Sequence, residues 1–183
     1  MQTDRLANHS RLLAHATTAL IVGMLAINIA YWVFPHQIAT YIGGFSLSTL
    51  TQTLNADISQ LTWWQTTGGA VISSIPLLIL AKGLWALRGL FQAYGKSDYF
   101  SPTSAELLGQ VGTSVCYWVA ATVVLTPVMS VWITVLRPVG QKMLTLSFEP
   151  SQLVALFLAA SVMIVARSLH NACSMARENQ QFV

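Results

Sequence analysis

From Leu12 to Phe34 the chain is almost unbroken hydrocarbon, and comparable runs follow at about 63–87, 114–136 and 151–169. A helix crosses roughly 30 Å of bilayer hydrocarbon in about 20 residues, so each run is long enough to span a membrane. Polar side chains gather between the runs, in 35–62, 88–113 and 137–150. The pattern predicts an all-α integral membrane protein, a four-helix bundle in a single membrane domain over 1–183. The first run is too long for a cleaved signal peptide and no small-x-small cleavage pattern follows it before Pro35, so a signal anchor is expected.

Two segments between spans carry periodicity of their own. In 35–62, Leu47, Leu50, Leu54, Ile58 and Leu61 recur every three or four residues opposite Thr49, Gln52, Thr53 and Ser59. This predicts an amphipathic helix lying on the outer membrane surface or capping the bundle. In the connector 88–113, the spacing of Leu84, Leu87, Leu90, Phe91 and Tyr94 carries the second helix past its span to a stop near Gly95. Lys96, Ser97 and Asp98 make a turn, and Ser101-Pro102 is a helix start, since serine caps free amides and proline is tolerated at the first helical position. Thr103 and Glu106 offer a competing register. With Leu107, Leu108 and Val111 leading into the third span, the connector is expected to be a helical hairpin.

Composition agrees with the pattern. The 183 residues are 54% hydrophobic and only 8% charged, where soluble domains carry about a quarter charged residues. The net charge of +3 is spread over nine basic residues with no Lys/Arg run, so direct nucleic-acid binding is not expected. Seven of the nine (Arg5, Arg11, Lys82, Arg88, Lys96, Arg167, Arg177) fall on one side of the four spans and two (Arg137, Lys142) on the other. Basic loops stay in the cytoplasm, which places both termini and the hairpin inside. Trp32, Trp63, Trp64 and Trp132 near the outer ends, and Trp85, Tyr117 and Trp118 near the inner ends, read as interfacial belts.

Candidate chemistry is sparse. Asn28 is the strongly polar residue inside the first span, read first as an interhelical hydrogen bond and second as a substrate contact. Gly68, Gly69 and Ser73, like Ala155 and Ala159, offer small-residue faces for close helix approach. Pro76 and Pro127 should kink or locally unwind their helices, and Lys82 should snorkel to the headgroups. Cys116 and Cys173 have no metal or redox spacing and read as reduced fillers, with a pair joining the third and fourth spans as the alternative. No Ser-His-Asp set, His-Glu-x-x-His, phosphate loop or dinucleotide fingerprint is present, so no catalytic or metal site is assigned and an enzyme is not expected. No cofactor is predicted. The one cofactor alternative is haem held by His15 and His170, which belong near the same inner face.

Leu90, Phe91, Tyr94 and Gly95, then Phe100, Ser101 and Pro102, then Leu108 and Gly112, with Glu178, Asn179, Phe182 and Val183 in the tail, make the chain resemble small bacterial four-span membrane proteins catalogued as domain of unknown function 2975. The Gln180-Gln181-Phe182-Val183 ending departs from that family's pattern, where a Thr is expected. The resemblance implies a bacterial inner membrane and, because such proteins are often encoded beside a small helix-turn-helix regulator, a membrane partner or antagonist of a transcription factor. The expectation is a non-enzymatic protein that binds a cytoplasmic protein or membrane complex through Phe91, Tyr94, Gly95, Phe100, Ser101, Pro102 and Phe182. A homo-oligomer is compatible with the same pattern. The rival from another class is a small transporter or channel with a path near Asn28, Pro76 and Pro127.

Overall fold

Four helices, α1 (Gln2–Val33), α2 (Trp63–Tyr94), α3 (Pro102–Thr134) and α4 (Pro150–Gln181), make up nearly all of the described chain. The computed structural model describes residues 2–34, 61–96, 101–136, 144–146 and 148–181, with side chains over 9–34, 61–96, 101–136, 144–146 and 148–175. Each helix has 32 or 33 residues, about 48 Å at 1.5 Å per residue, and so outruns a hydrocarbon layer of roughly 30 Å. All four are long and apolar enough to cross a membrane.

Burial follows lipid rather than water. The side chains sealed most completely are Asn28, Ser104, Ser130 and Thr134, while Leu20, Ile29, Val71, Val124, Phe157 and Ile164 lie exposed. In water that distribution would strand large apolar surface; in lipid, outward hydrocarbon costs nothing and small or polar residues belong between helices.

Local signals set the helix ends. α2 closes with the Gly95 N–H donating to the Phe91 carbonyl at 2.9 Å and the Lys96 N–H to Ala93 at 2.9 Å. α3 opens as the Ser101-Pro102 reading expects: the Ser104 N–H donates to Ser101 Oγ at 3.1 Å, a cap worth about 1 kcal/mol, and Pro102 is the first helical residue. The Thr103/Glu106 register loses because the proline sits one residue before Thr103 and already starts the helix. At α2 and α4 a glutamine three residues in reaches back over the helix start, as in one half of a capping box. The Thr62 N–H donates to Gln65 Oε1 and the Glu149 N–H to Gln152 Oε1, both at 3.3 Å. The amphipathic helix expected over 47–61 lies almost wholly outside the described residues.

Pro76 and Pro127 both sit inside continuous helix, so neither helix is interrupted at its proline. A proline removes one ladder bond, and long helices in membranes tolerate that loss.

Two compact units divide the chain. The first comprises Met1–Val22, Ile79–Val119 and Glu149–Val183, the second Gly23–Leu78 and Ala120–Phe148. In the first, small residues let the helices approach: Gly83 of α2 lies against Ser114 of α3, and Gly112 of α3 against Ala159 and Met163 of α4. Its buried apolar residues include Ala14, Ala86, Leu90, Ala105, Val119, Ala159 and Ala166. The second unit is built on aromatic rings, with Tyr31, Trp32, Met129 and Ile133 as its core and Leu61, Ala70 and Ile72 packed on them.

Trp32 corrects the belt reading. It is 3% exposed, its ring fills the space left by Gly69, and its indole N–H donates to Ser73 Oγ at 3.0 Å. Trp132 likewise packs on Gly68 and donates to the Gln65 carbonyl at 3.0 Å. Adjacent glycines on α2 thus receive one indole from α1 and one from α3. Trp63, 79% exposed, keeps the position a belt residue should have.

Candidate functional site

Phe91, Tyr94 and Gly95 lie at the end of α2 and Ser101 and Pro102 at the start of α3, all in the first unit. Phe91 and Tyr94, one and four positions beyond the buried Leu90, are half-buried at the last turn of α2. Gly95 and Ser101 are committed to ending and starting helices. Phe100 and Phe182, expected on the same surface, lie outside the described residues.

Buried polar side chains of α1 and of α3 fall in the second unit. Asn28 of α1 is 1% exposed, and its Nδ2 donates to Ser74 Oγ of α2 at 3.0 Å, which is the interhelical bond expected of it. Its Oδ1 is buried and accepts nothing from the described residues. The Ser73 and Ser74 hydroxyls donate to the Ala70 carbonyl at 3.1 and 2.7 Å, so neither turns toward that oxygen. On α3, Thr126, Ser130 and Thr134 are buried at intervals of four residues. Their hydroxyls donate within their own helix, to Thr122, Pro127 and Ser130 carbonyls respectively, and Ser130 Oγ also accepts the Thr145 N–H at 3.1 Å. These hydroxyls therefore donate within their own helices, and the Asn28 oxygen has no donor among the described residues. Pro76 is buried and Pro127 half-buried.

The remaining chemistry lies in the first unit. His15 and His170 are both exposed. Cys116, half-buried, and Cys173, buried, form no disulfide. Among the described residues no group of three or more His, Cys, Asp or Glu side chains is placed to hold a metal ion. Arg88 of α2 sets its guanidinium carbon 4.7 Å from the centroid of the Trp85 ring, and its buried Nε finds no acceptor among the described residues.

Sequence reasoning passed over Gln65, Ser74, Ser130, Thr134 and the Arg88–Trp85 pair. The four-residue spacing of Thr126, Ser130 and Thr134 could have marked a buried hydroxyl stripe, and Trp85 and Arg88 at three residues' separation could have marked a stacked pair. The partner of Asn28 had no such signal, because it depends on how α1 and α2 are rotated.

No curated protein and no solved structure matches the chain. One family model does, over residues 6–183, and it covers the helices, the connector and the tail alike. This four-span membrane chain belongs to the family described as protein of unknown function DUF2975.

Proposed function

We propose that the protein is a non-enzymatic membrane component that docks a protein partner through its connector and C-terminal tail, as a regulator of a transcription factor or an accessory subunit of a membrane complex. One observation carries this reading: the end of α2, the start of α3 and the last turns of α4 all belong to the first unit. The helices there continue beyond what a bilayer requires, which leaves Phe91 and Tyr94 at a helix end with part of their apolar surface uncovered. The seven-to-two distribution of basic residues supports a cytoplasmic address for these ends, with both termini inside, and membership of the family supports a bacterial inner membrane.

A photo-crosslinking residue at Phe91 or Tyr94, activated in native cells, is expected to yield one discrete adduct with a cytoplasmic or membrane-complex protein. The same probe at exposed, bilayer-facing Val124 should yield none. Equal or absent adducts at all three positions would end the proposal, as would a topology reporter fused after Gly95 that reads out on the exterior.

The transporter reading rests on Asn28 Oδ1, which has no donor among the described residues. It requires solute uptake by reconstituted vesicles that falls at least tenfold in Asn28→Leu. Uptake equal in the two proteins removes it.

A further inference from the structure

We infer that the row Lys82, Trp85 and Arg88 on α2 is a binding site for the headgroup of an anionic phospholipid. Residues three apart are neighbours on a helix surface, so the three side chains form one row in the first unit. Lys82 is exposed, Trp85 is 59% exposed, and Arg88 is half-buried. The row also stands at a defined depth. Residues 66–81 carry no charged side chain, and Lys82 is the first charge after that apolar stretch. A basic and aromatic row at the end of a spanning hydrocarbon run meets the headgroup layer, where tryptophan and snorkelling cations concentrate.

Two further observations separate this row from simple anchoring. The Arg88 guanidinium is not splayed into solvent. It is stacked 4.7 Å from the Trp85 ring centroid, which restricts the plane in which its donors lie. Its Nε is sealed and has no acceptor among the described residues, and a charged donor left without an acceptor is costly. Nε is closed to an outside ligand, so a headgroup phosphate would be met by exposed Lys82 and by the terminal N–H groups of the guanidinium, which arginine offers to phosphate as paired donors.

The surroundings favour net negative charge in the ligand. By sequence the first unit carries seven Lys and Arg (Arg5, Arg11, Lys82, Arg88, Lys96, Arg167, Arg177) against five Asp and Glu (Asp4, Asp98, Glu106, Glu149, Glu178), an excess of positive charge. A zwitterionic headgroup brings its own cation into that excess, whereas an anionic one does not. The inference depends on the membrane placement and not on partner docking.

The test is native mass spectrometry of the full chain released from nanodiscs made with phosphatidylglycerol or with phosphatidylcholine of the same acyl chains. The wild type is expected to retain phosphatidylglycerol at least fivefold over phosphatidylcholine, less so as ionic strength rises. Arg88→Gln should lose that preference, Arg88→Lys should keep part of it, and Arg167→Gln should leave it unchanged. Lys82→Gln, at an exposed position that threatens no packing, should weaken it severalfold and covers the case in which Arg88→Gln does not fold. No preference in the wild type would overturn the inference. So would retention unchanged in both Arg88→Gln and Lys82→Gln, including the case where these variants instead abolish a protein crosslink at Phe91.

Discussion

Gly69→Ala is expected to lower the thermal unfolding midpoint of the detergent-solubilised protein by several degrees, although alanine is the better helix former. A Cβ at this position would overlap the six-membered ring of Trp32. That ring has little freedom to retreat. Its N–H is bonded to Ser73 Oγ at 3.0 Å, Tyr31 stands edge-on to it with centroids 6.3 Å apart, and it belongs to the buried cluster with Met129 and Ile133. Forcing an extra methyl into such packing costs about 1–3 kcal/mol, more than the 0.5–1 kcal/mol that alanine gains over glycine in a helix. In proteins of this size each kcal/mol moves the midpoint by about 2–4 °C. Gly23→Ala is the control, because a Cβ there meets nothing within 4 Å, and it should be neutral or slightly stabilising. Combining Gly69→Ala with Trp32→Leu should cost less than the two changes summed, with a coupling of about 1 kcal/mol or more. Additive costs, or a Gly69→Ala protein as stable as Gly23→Ala, would contradict the indole-on-glycine packing.

The second large effect is expected at Gly112, where α3 meets α4. An added Cβ would lie 2.6 Å from Met163 Cγ and 2.9 Å from the Ala159 carbonyl oxygen. Methionine is flexible and can yield. A helix carbonyl cannot, so α3 and α4 must separate and the small-residue contact between them is lost. Gly112→Ala should therefore cost about 2 kcal/mol or more and raise the fraction of aggregated protein after extraction. Gly109, one turn earlier on the same helix, tests the reasoning: a Cβ there would sit 3.8 Å from that of Ala166, an ordinary contact. Gly109→Ala should be tolerated. If the two substitutions behave alike in thermal unfolding, glycine at 112 is not there for close approach.

Asn28 shows how a polar residue in a span divides into two questions. That it would bond another helix follows from its isolation in hydrocarbon, and it does so through Ser74. That its oxygen has no donor among the described residues does not follow, because that depends on where Ser73 and Ser74 direct their own hydroxyls, both of them to Ala70. The partner surface divides in a similar way. The helix stop at Gly95 and the cap at Ser101 rest on interactions within four residues and were legible in the chain. The half-burial of Phe91 and Tyr94 beside a fully buried Leu90 was not.

The tryptophans mark the boundary between the two kinds of information most clearly. Their places near the ends of the spans follow from position along the helix, which hydropathy reports directly. Trp63 does face outward there, yet Trp32 packs inward on Gly69. Period-3.6 patterning identifies the buried side of a helix when one side is polar. In a helix that is apolar all round, both faces look alike in the sequence.

The sequence by itself therefore determined four membrane-crossing helices, their order, and the local stops and starts between them. Each of these depends on hydrophobic length or on hydrogen bonds between near neighbours. Only the packing between helices decided which glycines hold indoles and which serine bonds Asn28. The azimuth of one apolar helix against another is set by the fit of side chains far apart in the chain.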